Sequence, residues 1–290
     1  MIAEQLFYLL ASRYFIILPL KMTSNKCRFC LKTNLIELYP SNKNNWTRSP
    51  SAFACTNCGF GSHGIILKCQ NCGVIFVDEK ISQEKVSTYY EVAQDPLYFK
   101  EQRAREMTFK GYLRGLEPNK WGAKYAKENY NLNLINKSFK KEVFPKNSFE
   151  VITMWDVIEH FTDPVEKINL VYDYLKPGGL FAFSTVDPES LLAKTMGTKW
   201  SWYMEMHKVF FSRPVAKLYL EKAGFKKIYF KPHFRNLSLG YLSSRLLAIN
   251  SELAKGSKKV VSLLDLTKTI VPYYANDLYN CFAFKGESRP

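Results

Sequence analysis

Glycine is sparse in this chain of 290 residues: there are 14, and none occurs between Gly73 and Gly111. That gap excludes a glycine-rich ligand loop from the segment, because backbone approaches a ligand closely only where no Cβ intervenes. Long apolar runs are missing too. Leu6 to Leu20 has the length of a signal-peptide core, but Arg13 interrupts it and Glu4 stands where a basic start is expected. Such a stretch is too short and too charged to span a bilayer as a helix. There is no internal repeat at solenoid periods, which excludes a stacked-repeat architecture. Acidic residues are few, 26 against 41 basic, for a formal charge of +15. The excess is uneven: residues 1–80 carry 9 basic and 4 acidic groups, 81–210 carry 18 and 17, and 211–290 carry 14 and 5. A near-neutral middle with basic ends disfavours a nucleic-acid groove and suits a small-molecule enzyme core with basic attachments.

What is present is ordinary globular material, 47% apolar and 23% charged, enough to bury a core without disulfides. Residues 1–21 precede a second methionine, Met22, and are expected to be an upstream over-extension of the reading frame or a membrane-surface anchor. Six of the seven cysteines form three Cys-x-x-Cys pairs, Cys27/Cys30, Cys55/Cys58 and Cys69/Cys72. Two sulfurs on one tight knuckle suit a tetrahedral zinc ion, which implies reduced thiols and a cytoplasmic home. Either the outer pairs or Cys55/Cys58 with Cys69/Cys72 complete a four-thiolate site, which is closed and therefore structural. His63 is a weaker candidate ligand. Cys281 lies in an apolar run and reads as a small buried hydrophobe.

The expected organisation is a cysteine module over 22–80, a helical connector over 81–110, and an α/β domain over 111–290 with a helical insertion at 236–272. From Gly111 onward strand and helix signals alternate, as in a parallel sheet. Strands are predicted at Tyr112–Glu117, Leu132–Asn136, Phe149–Met154, Leu180–Thr185, Lys226–Phe230 and, closing the sheet, Leu278–Phe284. Helices are predicted at Lys120–Tyr130, Pro164–Leu175 and Pro214–Ala223, with Lys176-Pro-Gly-Gly as a turn. Gly59-Phe-Gly-Ser-His-Gly64 fits the dinucleotide fingerprint by letters alone. A strand-like segment follows it where a helix should open, so it is a decoy.

The segment Phe149-Glu-Val-Ile-Thr-Met-Trp-Asp-Val-Ile-Glu-His-Phe-Thr-Asp-Pro, followed by Leu175-Lys-Pro-Gly-Gly-Leu-Phe-Ala-Phe-Ser-Thr, resembles class I S-adenosylmethionine-dependent methyltransferases. With Cys69-Gln-Asn-Cys-Gly, Tyr90…Asp95…Tyr98…Arg103, Gly115-Leu-Glu-Pro-Asn and Lys199-Trp…His207…Phe210, it is similar to the type carrying an N-terminal zinc ribbon. The resemblance covers roughly residues 24–245 and implies a Rossmann-like sheet with S-adenosylmethionine as cofactor. It implies zinc on the outer pairs, Cys27, Cys30, Cys69 and Cys72. It further implies that Glu117 accepts the ribose hydroxyls, that Ser138 and Phe139 line the adenine pocket, and that Trp155 and Asp156 lie at the ligand-binding edge. On physical grounds Asp156, Glu159 and His160 are spaced i, i+3, i+4 and would share a helix face. His160 is then a candidate general base, and the trio a candidate site for a divalent cation. The alternative is helix capping by Asp156 and a hydrogen-bonded core histidine.

One departure stands out. The family places a glycine loop about twenty residues before its ribose-binding acid, and here nothing between Gly73 and Gly111 can supply it. The first strand, its loop and the following helix are expected to be missing from the sheet. The chemistry implied is methyl transfer to a hydroxyl or similar nucleophile on a small-molecule, sugar, glycan or lipid-linked acceptor. The alternative is a non-catalytic, degenerate methyltransferase serving as a zinc-ribbon binding or scaffold protein, with a membrane surface as a further candidate partner.

Overall fold

The computed structural model describes residues 22–23, 26–42, 61–78, 83–93, 115–132, 134–141, 143–246 and 250–286. Residues 1–21, expected to be an over-extended start or an anchor, the pair Cys55/Cys58 and the stretch Tyr98…Arg103 lie outside the described residues.

The chain begins with four antiparallel strands, β1 (Met22–Thr23), β2 (Leu35–Tyr39), β3 (Ile66–Cys69) and β4 (Ile75–Val77). Residues 61–65 run straight into β3, so the glycine decoy is followed by a strand. Helix α1 spans Gln83–Val92 and α2 spans Lys120–Tyr130. Asn119 starts α2 by accepting from the Gly122 N–H at 2.7 Å, and Asn131 ends it with φ of 54°.

A βαβ unit follows: β5 (Phe149–Trp155), α3 (Pro164–Tyr174) and β6 (Leu175–Val186), with β5 and β6 parallel. Asp163 caps α3 through the Glu166 N–H, and Pro164 occupies its first turn. The predicted turn at Lys176-Pro-Gly-Gly is instead a bulge within β6. Its register jumps from Phe149↔Leu175 to Val151↔Leu180, five residues against two. Gly178 takes φ of +74°, and a Cβ on Gly179 would lie 2.8 Å from the Lys176 carbonyl, so both positions require glycine.

Next come α4 (Leu191–Met196), β7 (Val209–Phe210), α5 (Arg213–Lys222) and β8 (Phe225–Pro232). The 236–272 region was expected to be helical, and it is framed by strands. β9 (Arg235–Ser238) pairs antiparallel with β10 (Ile270–Tyr273), and α6 (Leu239–Arg245) and α7 (Ser251–Leu263) lie between them. The last strand, β11 (Leu278–Lys285), does not close the sheet at an edge. It inserts antiparallel between β6 and β8, giving the order β5-β6-β11-β8.

The result is a Rossmann-like α/β sheet. Leu116 and Ile135 form an isolated parallel bridge, and among the described residues no strand lies between them and β5. The cysteine-bearing sheet borrows its fifth strand from far along the chain, since β4 pairs with β7. The two sheets also share one core, in which Cys27, Cys69 and Phe76 belong with Phe181, Phe225 and Tyr279. Each of these aromatics buries enough apolar surface to contribute roughly 1.5–3 kcal/mol. Among the described residues no helix is long and apolar enough to cross a membrane.

Candidate functional site

Two tight knuckles present the outer cysteine pairs to one another. The first closes with the Leu31 N–H on the Cys27 carbonyl at 2.9 Å, the second with the Gly73 N–H on the Cys69 carbonyl at 2.8 Å. Leu31 and Gly73 both adopt positive φ, 61° and 75°, as the turns demand. Their sulfurs meet in pairs, Cys27 with Cys72 at 3.7 Å and Cys30 with Cys69 at 3.5 Å, and none of the four is oxidised. All four Sγ atoms lie within 4.8 Å of one another. The thiol of Cys27 donates to Cys72 and holds it well below the ordinary cysteine range. Four thiolate donors on two knuckles are the donor set that structural zinc takes. His63 stays apart from them: it is fully buried, bonds the Gly64 carbonyl through Nδ1 and packs against Tyr39 and Tyr203.

The second feature is a cavity of about 1020 Å³ beside the free edge of β5, whose walls include Glu117, Ser138, Phe139, Thr153, His160 and Met206. Glu117 follows the bridged Leu116, and its Oε1 accepts from the Asn119 N–H at 2.8 Å. Burial pushes its carboxyl above the usual range, and the Asn119 N–H pulls it back in part. Oε2 carries no hydrogen bond among the described residues. Ser138 Oγ donates to Glu91 at 3.5 Å, and the Phe139 ring packs edge-on against Tyr174. Trp155 and Asp156 are not among the residues lining this cavity.

Asp156, Glu159 and His160 do not share a helix face. Asp156 has φ of 52° and precedes a single 3₁₀ turn, Ile158–His160, that it does not cap. Its N–H donates to Ser184 Oγ at 2.9 Å, and that hydroxyl donates back to Oδ1 at 2.8 Å. Its Oδ2 pairs with the Arg235 guanidinium, which also lies 5.1 Å above the Trp202 ring. Glu159 and His160 gather instead with His207, each offering one donor atom within 4.8 Å of the others. Thr185 donates to Glu159 Oε2 at 3.0 Å, and His160 Nδ1 donates to the Met206 carbonyl at 3.1 Å. Burial raises the Glu159 carboxyl to about 7 and lowers the His160 imidazole to about 4. His207 is pulled well below the ordinary range by burial, with His160 adding to the effect. Both rings are thus neutral near pH 7, able to take a proton from a substrate or to bind a cation.

His207 and Arg235 carried no role in the sequence reading. His207 lay in a quoted motif, but its meeting with Glu159 depends on how β7 docks. Arg235 is 79 residues from its partner and left no local signal.

Residues 90–229 match a family model described as a methyltransferase domain. The match and the βαβ unit support a class I methyltransferase fold. Among solved structures, the chain is similar to a SAM-dependent methyltransferase from Thermotoga maritima described as a possible histamine N-methyltransferase. The identity there is 19%, over 59% of this chain and 72% of that one, with a TM-score of 0.40. It is also similar to a SAM-dependent methyltransferase from Archaeoglobus fulgidus, at 15% identity over 66% and 95%, with a TM-score of 0.41. A third structure is the complex of the Haloferax volcanii Trm112 methyltransferase activator with a putative methyltransferase, at 13% identity over 65% and 78%, with a TM-score of 0.42. No curated protein matches the chain in sequence.

Proposed function

We propose that the chain is an S-adenosylmethionine-dependent methyltransferase acting on a hydroxyl or similar nucleophile of a small-molecule, sugar, glycan or lipid-linked acceptor. The observation that carries this is a single cavity running from Glu117, Ser138 and Phe139 to His160. Its Glu117 end fits an adenosine: a carboxylate held by one backbone N–H has a second oxygen for ribose hydroxyls, beside an aromatic wall. Bound there, the cofactor supplies an electrophilic methyl group. His160 is the general-base candidate, a neutral ring whose Nδ1–H is held by the Met206 carbonyl. Glu159 lies behind it and could share a proton. Asp156 serves through Arg235 and Ser184, shaping the end of β5. Zinc on Cys27, Cys30, Cys69 and Cys72 has a structural role, and unoxidised thiols in such a set support a cytoplasmic home. The basic 211–290 region suits an anionic acceptor, and the neutral middle argues against nucleic acid.

A second reading is favoured by one specific feature. Among the described residues no strand and no glycine turn stands between Leu116 and β5, where the methionine end of the cofactor would lie. On that reading the chain is a non-catalytic methyltransferase relative serving as a zinc-ribbon scaffold. Isothermal titration of the full chain with S-adenosylmethionine separates the two. Saturable heat supports methyl transfer, and its absence supports the scaffold.

A further inference from the structure

We propose that Glu159, His160 and His207 form a second metal site, separate from the four cysteines, that takes a divalent first-row transition ion of the zinc type. Two imidazoles and one carboxylate are the donor set of open zinc and related sites. Their donor atoms lie within 4.8 Å of one another. Tetrahedral bonds of about 2.0–2.2 Å place donors ~3.3–3.6 Å apart, so closing on an ion from this separation needs side-chain movements of about 1 Å.

Ligands of a metal are themselves held by outer partners, and here two of the three are hydrogen-bonded. His160 Nδ1 is tied to the Met206 carbonyl, and Thr185 Oγ1 to Glu159 Oε2. The His207 ring stacks on Trp202 at 5.9 Å, and its buried Nδ1 has no hydrogen-bond partner among the described residues. A ring nitrogen shut away from water with nothing to bond is costly, and an ion removes that cost. Glu159 is 1% exposed and has no ion pair among the described residues. Lys208 Nζ donates to the Glu205 carbonyl, and the Arg245 guanidinium lies over Trp202. His160 lines the large cavity and gives the ion a path from solvent.

Asp156, the expected third ligand, is engaged by Arg235 and Ser184, and His207 stands in its place. If the proposed methyl transfer holds, an ion here would sit at the acceptor end and take the His160 lone pair, so that lowering the pKa of a coordinated hydroxyl would replace general-base catalysis by that ring. The binding itself does not depend on that reading.

The test uses the full chain, loaded with excess zinc, desalted and analysed for metal, with cobalt(II) as a spectroscopic probe. Two ions per chain are expected, falling to one in Glu159→Gln and in His207→Gln with unchanged circular dichroism. Cobalt at the cysteines gives sulfur charge-transfer bands. The second equivalent should add only weak visible bands, whereas an ion on Cys55/Cys58 would add further sulfur bands. One ion in the wild-type chain, or a second equivalent with sulfur bands, overturns the proposal, as does a second ion that persists in both variants. Should a variant misfold, the cobalt titration of the wild-type chain decides alone. Two ions without S-adenosylmethionine binding uphold this site and remove methyl transfer; binding of the cofactor with one ion does the reverse.

Discussion

The Lys208 N–H donates to the Glu159 carbonyl at 2.8 Å. The Lys208 carbonyl in turn accepts from the Val77 N–H at 3.1 Å, at the end of the strand that follows the second cysteine knuckle. Two peptide groups therefore separate the cysteine-bearing sheet from the 3₁₀ turn that carries Glu159 and His160. A module that sequence alone sets apart at residues 22–80 is built into the floor of the candidate site.

If the four cysteines hold zinc as proposed, stripping it should destabilise more than the N-terminal segment. Structural zinc contributes on the order of 10 kcal/mol to folding in small domains, and here the ligands share a core with Phe181 and Tyr279. Chelation, or Cys72→Ser, is expected to lower the melting temperature in one cooperative transition. Far-UV dichroism and the fluorescence of the buried Trp200 should move together. A dichroism change with Trp200 unmoved would restore the picture of a module that unfolds alone.

Glu117 gives the chain a pH signature. Burial raises its carboxyl, so the folded chain holds the proton to higher pH than the unfolded chain does. Stability from this group is fully present below the unfolded value of about 4.3 and is lost as pH rises through the raised folded value. Cofactor binding has the opposite sense, because accepting from ribose hydroxyls needs the carboxylate. Affinity should therefore rise with pH through the same window in which stability falls, and Glu117→Gln should flatten both trends. Denaturant midpoints and titrations at stepped pH read the two, and parallel profiles for wild type and Glu117→Gln would refute the assignment.

Much of the fold was legible because its signals are local. The helix over Lys120–Tyr130, the apolar run through Phe149–Met154 and the helix from Pro164 all follow from neighbours in sequence. The four outer cysteines gather in one cluster. The readings that changed were those depending on distant partners. The apolar run of β11 reads as a strand that closes the sheet, but it does not say which two strands will flank it. The bulge at Gly178 read as a turn because only the register of β5 keeps the chain in the sheet. Asp156 was grouped with Glu159 and His160 on helical spacing, but its positive φ and its pairing with Arg235 turn it away. His207 was seen and given no task, since nothing in its own neighbourhood marks it.

The Asp156–Arg235 pair is 26% and 13% exposed at its two side chains, between a surface ion pair and a buried one. Asp156→Asn keeps a partner for Ser184 but leaves Arg235 without its counter-charge, and a cost of about 1–3 kcal/mol is expected. Arg235→Met should cost a similar amount, and the double variant less than the sum. Denaturant unfolding of the four proteins gives the coupling. Simple additivity would show that the pair does not hold the end of β5.

Cofactor binding is expected to be weak in the chain as it stands, and Glu117→Ala should abolish what remains. Hydrogen bonds from two ribose hydroxyls to a carboxylate contribute roughly 1.5–3 kcal/mol each. With no glycine between Gly73 and Gly111 to shape a ligand loop, few other backbone contacts are expected to reach the ligand. Inserting a strand, glycine loop and helix between Lys110 and Gly111 should give β5 a parallel neighbour and cover the edge where Val151 is 52% exposed. Affinity for S-adenosylmethionine should then rise by orders of magnitude, read by calorimetry on both proteins. Micromolar binding by the unaltered chain would show that another segment already does the work of the loop. A restored chain that folds, as judged by a single melting transition, and still binds nothing would remove the methyltransferase reading and leave the scaffold.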